Sequence, residues 1–428
     1  MSGQLIRDSI GRGIHLSAVR DAKFKHNRLS ANFVLPLAEE TASDNAAVPL
    51  VLRKGFRECP DFTSLNARLA GLYGASLDAD VTKYGGWQVL ELSIKGLDNR
   101  FALENEDITG ECADLLASLV LDPKLDDAGL FDPQDVALER QYLLDTIEAE
   151  INDKRAYAVN RCIQVMCADE PVSVRRYGSR ATAEAVTAAS AAAAYRRIIK
   201  DAPAEILFVG SGDSGSASRV FARRFARQER TPVENVKARL RIQAAGVKEE
   251  TERMELNQSK LVMGLRTGAI ENARDISARR VFAALFGGTP FSKLFLNVRE
   301  RLGLCYYCAS RFDVSTGLLF VDSGVDAANK QKAQDEVLRQ LEAIQKGDFD
   351  DTQLGNTKLL MKNSITSTGD SLTGLEGWYL AQILRGQSVS PEEDARNIDE
   401  ITRDEVIAAA RAVTLDTIYF LTGNGEGK

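Results

Sequence analysis

Histidine is almost missing from this chain: there are two, His15 and His26, in 428 residues. No His-x-x-x-His spacing occurs anywhere. A helical two-histidine zinc site is therefore excluded. A Ser-His-Asp or Cys-His arrangement would have to draw on one of these two, and neither lies near a nucleophile elbow. Long apolar runs are missing as well. No stretch reaches the roughly 18 apolar residues of a spanning helix, so no membrane segment is expected. Met1–His15 lacks an apolar h-region and predicts no secretory signal. The six cysteines, Cys59, Cys112, Cys162, Cys167, Cys305 and Cys308, are too few for a disulfide scaffold in a chain this long. They read as reduced thiols of a cytoplasmic protein. The net charge is −7 and the basic residues are scattered, which argues against nucleic acid as a partner.

What is present is an ordinary globular balance, 44% hydrophobic and 27% charged, that can fill large cores. At about 150 residues per domain the length suggests two or three. The coarse pattern appears twice. Leu16–Val19 and Leu29–Leu35 read as strands, Ala46–Phe56 and Phe62–Leu72 as helices, and Ala75–Val81 with Trp87–Ile94 as a hairpin. Helices are expected over Ala102–Leu121, Gln134–Asn152 and Ala181–Ile198, then a strand over Glu205–Val209. The second series runs Lys260–Leu265 (strand), Ala273–Phe286 and Phe291–Arg301 (helices), and Leu304–Ser310 with Gly317–Ser323 (hairpin). It closes with helices over Ala327–Gln345, Thr352–Ser364 and Arg403–Val413 and a strand over Ile418–Leu421. The endings Glu205–Asp213 and Thr417–Gly425 resemble each other, and each follows an alanine-rich helix. A period near half the chain implies a duplicated domain. The expected division is 1–214, a linker over 215–236, and 237–428.

Gly210–Gly215 spells G-x-G-x-x-G after a strand, the string of a dinucleotide fingerprint. No second strand ending in an acid follows at the required distance, so the segment reads as the end of a domain. The arginines of Ser218–Arg230 read as a solvated helix face, with Phe221 and Phe225 turned inward. Cys305 and Cys308 lie three apart on an expected strand, which would turn them to opposite faces in a buried, structural role. Cys162 and Cys167 read as buried on a helix. The sharpest constellation is Arg299–Tyr307. Gly303 can end a helix there and a strand begins at once. A guanidinium and a phenol at such a junction can bind the carbonyls of an extended peptide. The same residues also suit a surface cation at a helix end and half-buried sheet tyrosines.

Phe291–Tyr306, F-S-K-L-F-L-N-V-R-E-R-L-G-L-C-Y, resembles the C-terminal-half signature of the insulinase/pitrilysin metallopeptidases, the family that includes mitochondrial processing peptidase. Leu285–Gly288 resembles the leader of that signature. The resemblance implies an α+β fold of two homologous helix-flanked β-sheet domains forming a clam-like chamber, the LuxS/processing-peptidase-like metallohydrolase fold. It implies that Arg299 and Tyr306 bind and orient a peptide substrate. The family's inverted zinc motif, His-x-x-Glu-His, precedes a Lys-Gly pair. Aligned on Lys54-Gly55 it falls on Ala46, Pro49 and Leu50. The glutamate ligand further along aligns with Thr146, and the acid before it persists as Glu139. The implied reading is a catalytically incomplete subunit, inactive alone, with no metal or cofactor of its own. Zinc would reside in a homologous partner chain, as a heterodimer, to which this chain lends Arg299 and Tyr306 in trans. Self-association, or a stand-alone peptide-binding or scaffolding pseudoenzyme, is the alternative.

Overall fold

Two mixed sheets carry the chain and share one plan. The computed structural model describes residues 3–233 and 240–423. The first sheet contains β1 (Leu5–Gly11), β2 (Ile14–Arg20), β3 (His26–Pro36), β4 (Ser76–Tyr84), β5 (Trp87–Leu97) and β6 (Ala204–Gly210), in the order β1-β2-β6-β3-β5-β4. The second contains β7 (Lys248–Arg253), β8 (Ser259–Arg266), β9 (Cys305–Asp313), β10 (Leu318–Val325) and β11 (Thr414–Thr422), in the order β7-β11-β8-β10-β9. With β1 set aside, the two orders correspond strand for strand. A parallel pair falls at the same place in each, β2 with β6 and β7 with β11, and the remaining neighbours are antiparallel. The repeat visible in the sequence is thus matched by the topology.

The helices follow the same series. α1 (Glu39–Leu52) and α2 (Phe62–Gly71) precede the first hairpin. Between that hairpin and β6 come α3 (Ile108–Leu121), α4 (Pro133–Ala149), α5 (Lys154–Met166), α6 (Arg180–Glu184) and α7 (Ala188–Asp201), and α8 (Gly215–Phe225) comes after β6. In the second half, α9 (Ala273–Ala283) and two π-helical stretches, Ala284–Gly288 and Phe295–Arg301, precede the hairpin. Then α10 (Lys330–Gln345), α11 (Asp351–Ser367), α12 (Leu372–Ile383), α13 (Pro391–Glu400) and α14 (Arg403–Arg411) lead to β11.

The described residues divide between two compact units, and neither is continuous in sequence. One gathers Met1–Ala149, Val174–Ala238 and Thr368–Ser390; the other gathers Glu150–Ser173, Arg239–Ser367 and Pro391–Lys428. In the first unit α12 covers one face of the sheet, setting Leu375, Tyr379 and Leu380 against Val19, Val34, Val89, Leu207 and Val209. The other face packs on α1, α3, α7 and α8 through residues such as Ala47, Leu116, Ala191 and Phe221. Burial on both faces is why β6 reads A-E-I-L-F-V-G rather than as an alternating strand. In the second unit α5 plays the part of α12. Ala158, Val159, Cys162 and Met166 lie on Val262, Leu318, Phe320, Tyr419 and Leu421. Asp153 caps α5 by accepting from the Arg155 and Ala156 amides. Gly264 lets the helix close on β8, because a Cβ there would stand 2.7 Å from Met166 Sδ. Below it Arg266, 1% exposed, is neutralised by Glu170 and Asp416, each at 2.6 Å.

Several expectations meet their outcome here. Cys162 and Cys167 are buried, as their helical spacing suggested. In the Gly210–Gly215 loop the Ser211 and Gly212 amides donate to Asn27 Oδ1, at 3.1 and 3.2 Å. A Cβ on Gly210 would stand 2.1 Å from the same oxygen. The glycines admit Asn27, and those two amides serve its side chain. Of the segment expected as a linker, 215–225 forms α8, whose Phe221 and Phe225 enter the first unit's core, while 234–239 lies outside the described residues. Arg223 and Arg224 on α8 pair with Asp114, and Arg224 with Asp122 as well.

Candidate functional site

The positions aligned with the zinc motif are all in the first unit. Ala46 and Leu50 are on α1, 0% and 3% exposed, and both belong to the apolar core. Pro49, between them, is buried too. Methyl, isobutyl and pyrrolidine groups offer no lone pair to a cation. Thr146, on α4, donates its hydroxyl to the Tyr142 carbonyl one turn back, at 2.7 Å, a bond to its own helix. The donor set does not fit zinc. Among the described residues no group of three or more His, Cys, Asp or Glu side chains is gathered for any metal.

Charge is nonetheless concentrated beside these positions. Glu139 on α4 is 5% exposed, and Lys54 Nζ stands 3.1 Å from its Oε1. Arg53 Nη2 lies 3.5 Å from Oε2, and Lys54 also approaches Asp135 at 3.6 Å. The acid that persists in the sequence is therefore held between two cations at the end of α1. Lys54 served only to align the motif; the i, i+1 pairing of Arg53 and Lys54 against α4, far along the chain, carries no periodic signal. Gly55 turns the chain at φ +156, where a Cβ would meet the Cys59 carbonyl at 2.5 Å.

Arg299 and Tyr306 are in the second unit. Phe282 and Phe286 stack at 5.7 Å, and the π-helical Ala284–Gly288 then approaches β9. Contact is so close that a Cβ on Gly287 would stand 2.5 Å from the Ser310 amide. The second π-helical stretch carries Arg299, whose guanidinium lies over the Phe295 ring at 4.8 Å, with Nε 3.6 Å from Glu300 Oε1. Gly303 ends the helix at φ +58, its amide donating to the Arg299 carbonyl at 3.1 Å. The helix stop and the immediate strand are as expected from the sequence.

The start of that strand is not regular. Cys308 pairs with Ser323 and Tyr307 with Gly324, but Val325 pairs with Cys305. Tyr306 is the extra residue of a β-bulge, 64% exposed, and among the described residues nothing bonds its hydroxyl. Bulges re-aim side chains in this way at the rims of functional sites. The bulge also corrects the expectation that Cys305 and Cys308 face opposite ways. Their partners Val325 and Ser323 are two apart, so both cysteines lie on one face. Tyr307 is held elsewhere, its ring between the Arg155 guanidinium at 4.3 Å and Lys260 Nζ at 5.5 Å. Burial pushes its phenol pKa up.

Comparison with known proteins adds to this picture. The family profile described as "Peptidase M16 inactive domain" matches residues 185–361. The "Probable inactive metalloprotease YmfF" of Bacillus subtilis (strain 168) is 32% identical over 413 residues, 96% of this chain and 96% of that protein. The chain belongs to the M16 metallopeptidase family. Solved structures share the fold. A conserved protein from Enterococcus faecalis V583 superposes with a TM-score of 0.90 at 26% identity, covering 99% of this chain and 100% of that one. The M16 inactive domain from Pseudomonas fluorescens gives 0.76 at 18% identity, covering 99% of both chains. Within the M16 frame, the α+β architecture of two helix-flanked sheets is the expected one. No described helix is long and apolar enough to cross a membrane.

Proposed function

We propose that this M16 chain is the non-catalytic, substrate-binding subunit of a two-chain peptidase. A homologous partner supplies the zinc and the general base, and this chain supplies Arg299 and Tyr306 in trans. The observation that carries the reading is the contrast between the two sets of positions. Ala46, Pro49 and Leu50 are absorbed into a hydrophobic core, whereas Tyr306 is lifted onto a bulge with its hydroxyl free. Arg299 offers a planar fork of donors suited to a peptide carbonyl. Tyr306 offers one phenolic donor to an oxyanion developing on that carbonyl. Both need a scissile bond placed by another chain. The free cysteines support a cytoplasmic location. The matched strand orders support two homologous halves, 1–214 and 237–428.

The test is peptide cleavage by the chain reconstituted with a zinc-bearing homologue. Arg299→Ala and Tyr306→Phe should each slow turnover about a hundredfold, the loss of roughly 3 kcal/mol that one oxyanion donor provides. Tyr307→Phe should leave turnover unchanged. Full activity in the first two variants, with the complex intact, would leave the stand-alone binding or scaffolding role instead.

A further inference from the structure

The bulge that exposes Tyr306 also brings its flanking cysteines together. Cys305 and Cys308 stand opposite Val325 and Ser323, residues two apart on β10. Two strand residues span about 6.7 Å. Pairing across β10 holds the two cysteine Cα atoms near that separation, inside the roughly 4.4–6.8 Å over which disulfides form. A regular strand would have put them about 10 Å apart on opposite faces. Interaction with Cys308, opposed by burial and aided by the Arg299 charge, holds the Cys305 thiol below its ordinary range. Interaction with Cys305 and burial raise Cys308. The pattern is of an attacking thiol with a resolving thiol beside it, on the edge strand of the sheet. Elsewhere burial pushes the thiols up, to about 12 at Cys112 and Cys167 and in the same direction at Cys162.

We propose that Cys305 and Cys308 are a redox-active dithiol that closes to an intramolecular disulfide around Tyr306. The Cys305 thiolate attacks a low-molecular-weight disulfide such as glutathione disulfide. A mixed disulfide forms and one reagent thiolate leaves. Cys308 then attacks Cys305 Sγ, the Cys305–Cys308 bond forms, and the second reagent thiolate leaves. The two protons given up by the protein thiols end on the two released thiolates. The chain loses two electrons and the reagent disulfide gains them, becoming two thiols. The closed ring fixes the bulge, and with it the display of the Tyr306 phenol. The inference goes beyond the proposed subunit role and needs no partner chain.

The experiment equilibrates the full chain with oxidised and reduced glutathione at a series of ratios. Acid quenching, alkylation in denaturant and peptide mass spectrometry follow. Alkylation of Cys305 and Cys308 should be lost together as the ratio becomes oxidising, replaced by one linked peptide and restored by dithiothreitol. Cys112, Cys162 and Cys167 should remain alkylated throughout. In Cys308→Ser, Cys305 should accumulate as a glutathione adduct. Recovery of both residues as alkylated thiols at the most oxidising ratio would overturn the proposal. So would a linkage that forms only when the chain is first unfolded in urea.

Discussion

Arg28 on β3 is shared by two carboxylates, Glu91 on β5 and Glu376 on α12. Glu376 Oε1 has no hydrogen-bond partner, and Asp78, Asp80 and Tyr84 on β4 also face the cluster. Burial, then repulsion from Glu376, outweighs the pull of Arg28 and pushes Glu91 up to about 7. A carboxyl whose folded pKa lies above its unfolded value binds its proton more tightly when folded. Its effect is to favour folding at low pH, and that contribution is lost as pH rises from the unfolded value through about 7. Glu91→Gln should flatten this slope, gaining on the order of 2 kcal/mol relative to wild type at about pH 8 and little at about pH 5. Urea unfolding at the two pH values checks it, read by tryptophan fluorescence. The chain's two tryptophans, Trp87 and Trp378, are both in this unit. An unchanged slope in the variant would refute the assignment. Nothing in the sequence marks Glu91, whose neighbours come from β3, β4 and α12. The bulge at Tyr306 was equally illegible, because register belongs to a pair of strands and β10 supplies half of it.

At the level of elements, strands buried on both faces and the two hairpins were legible, and the edge strands β1 and β7 were not. β1 and β7 pair along the edges, and their sequences, L-I-R-D-S-I-G and K-E-E-T-E-R, are polar because most of their side chains meet water. The second of these lies in a polar segment for which no strand was expected. α12 was missed for a different reason. Gly374 and Gly377 break its propensity, and its stability comes from the sheet it covers. That dependence is testable. Tyr379 is fully buried and donates its hydroxyl to the Gly3 carbonyl at 2.5 Å. Tyr379→Ala should cost about 3–5 kcal/mol, and Tyr379→Phe, which keeps the ring and loses the hydroxyl, about 1 kcal/mol. Denaturant midpoints followed by the same two tryptophans measure both, and a loss under about 1 kcal/mol in the alanine variant would mean that α12 is not part of the core.

For the molecule as a whole, duplication explains the shared plan of the two sheets. On the proposed reading, two copies of one strand order allow one half to carry Arg299 and Tyr306 while the other has Ala46, Pro49, Leu50 and Thr146 at the positions aligned with the zinc ligands and base. The helix stop at Gly303 and the strand after it were readable from the sequence, since they rest on residue identity at fixed spacing. The partner belongs to the proposal alone, because surfaces that join chains have no period in the sequence. Native mass spectrometry of this chain mixed with a zinc-bearing M16 homologue from the same cell tests the central claim most directly. The expected species is a one-to-one complex that releases its zinc entirely with the partner when dissociated, leaving this chain metal-free. Two separate chains at micromolar concentration, or zinc carried by this chain, would contradict the account.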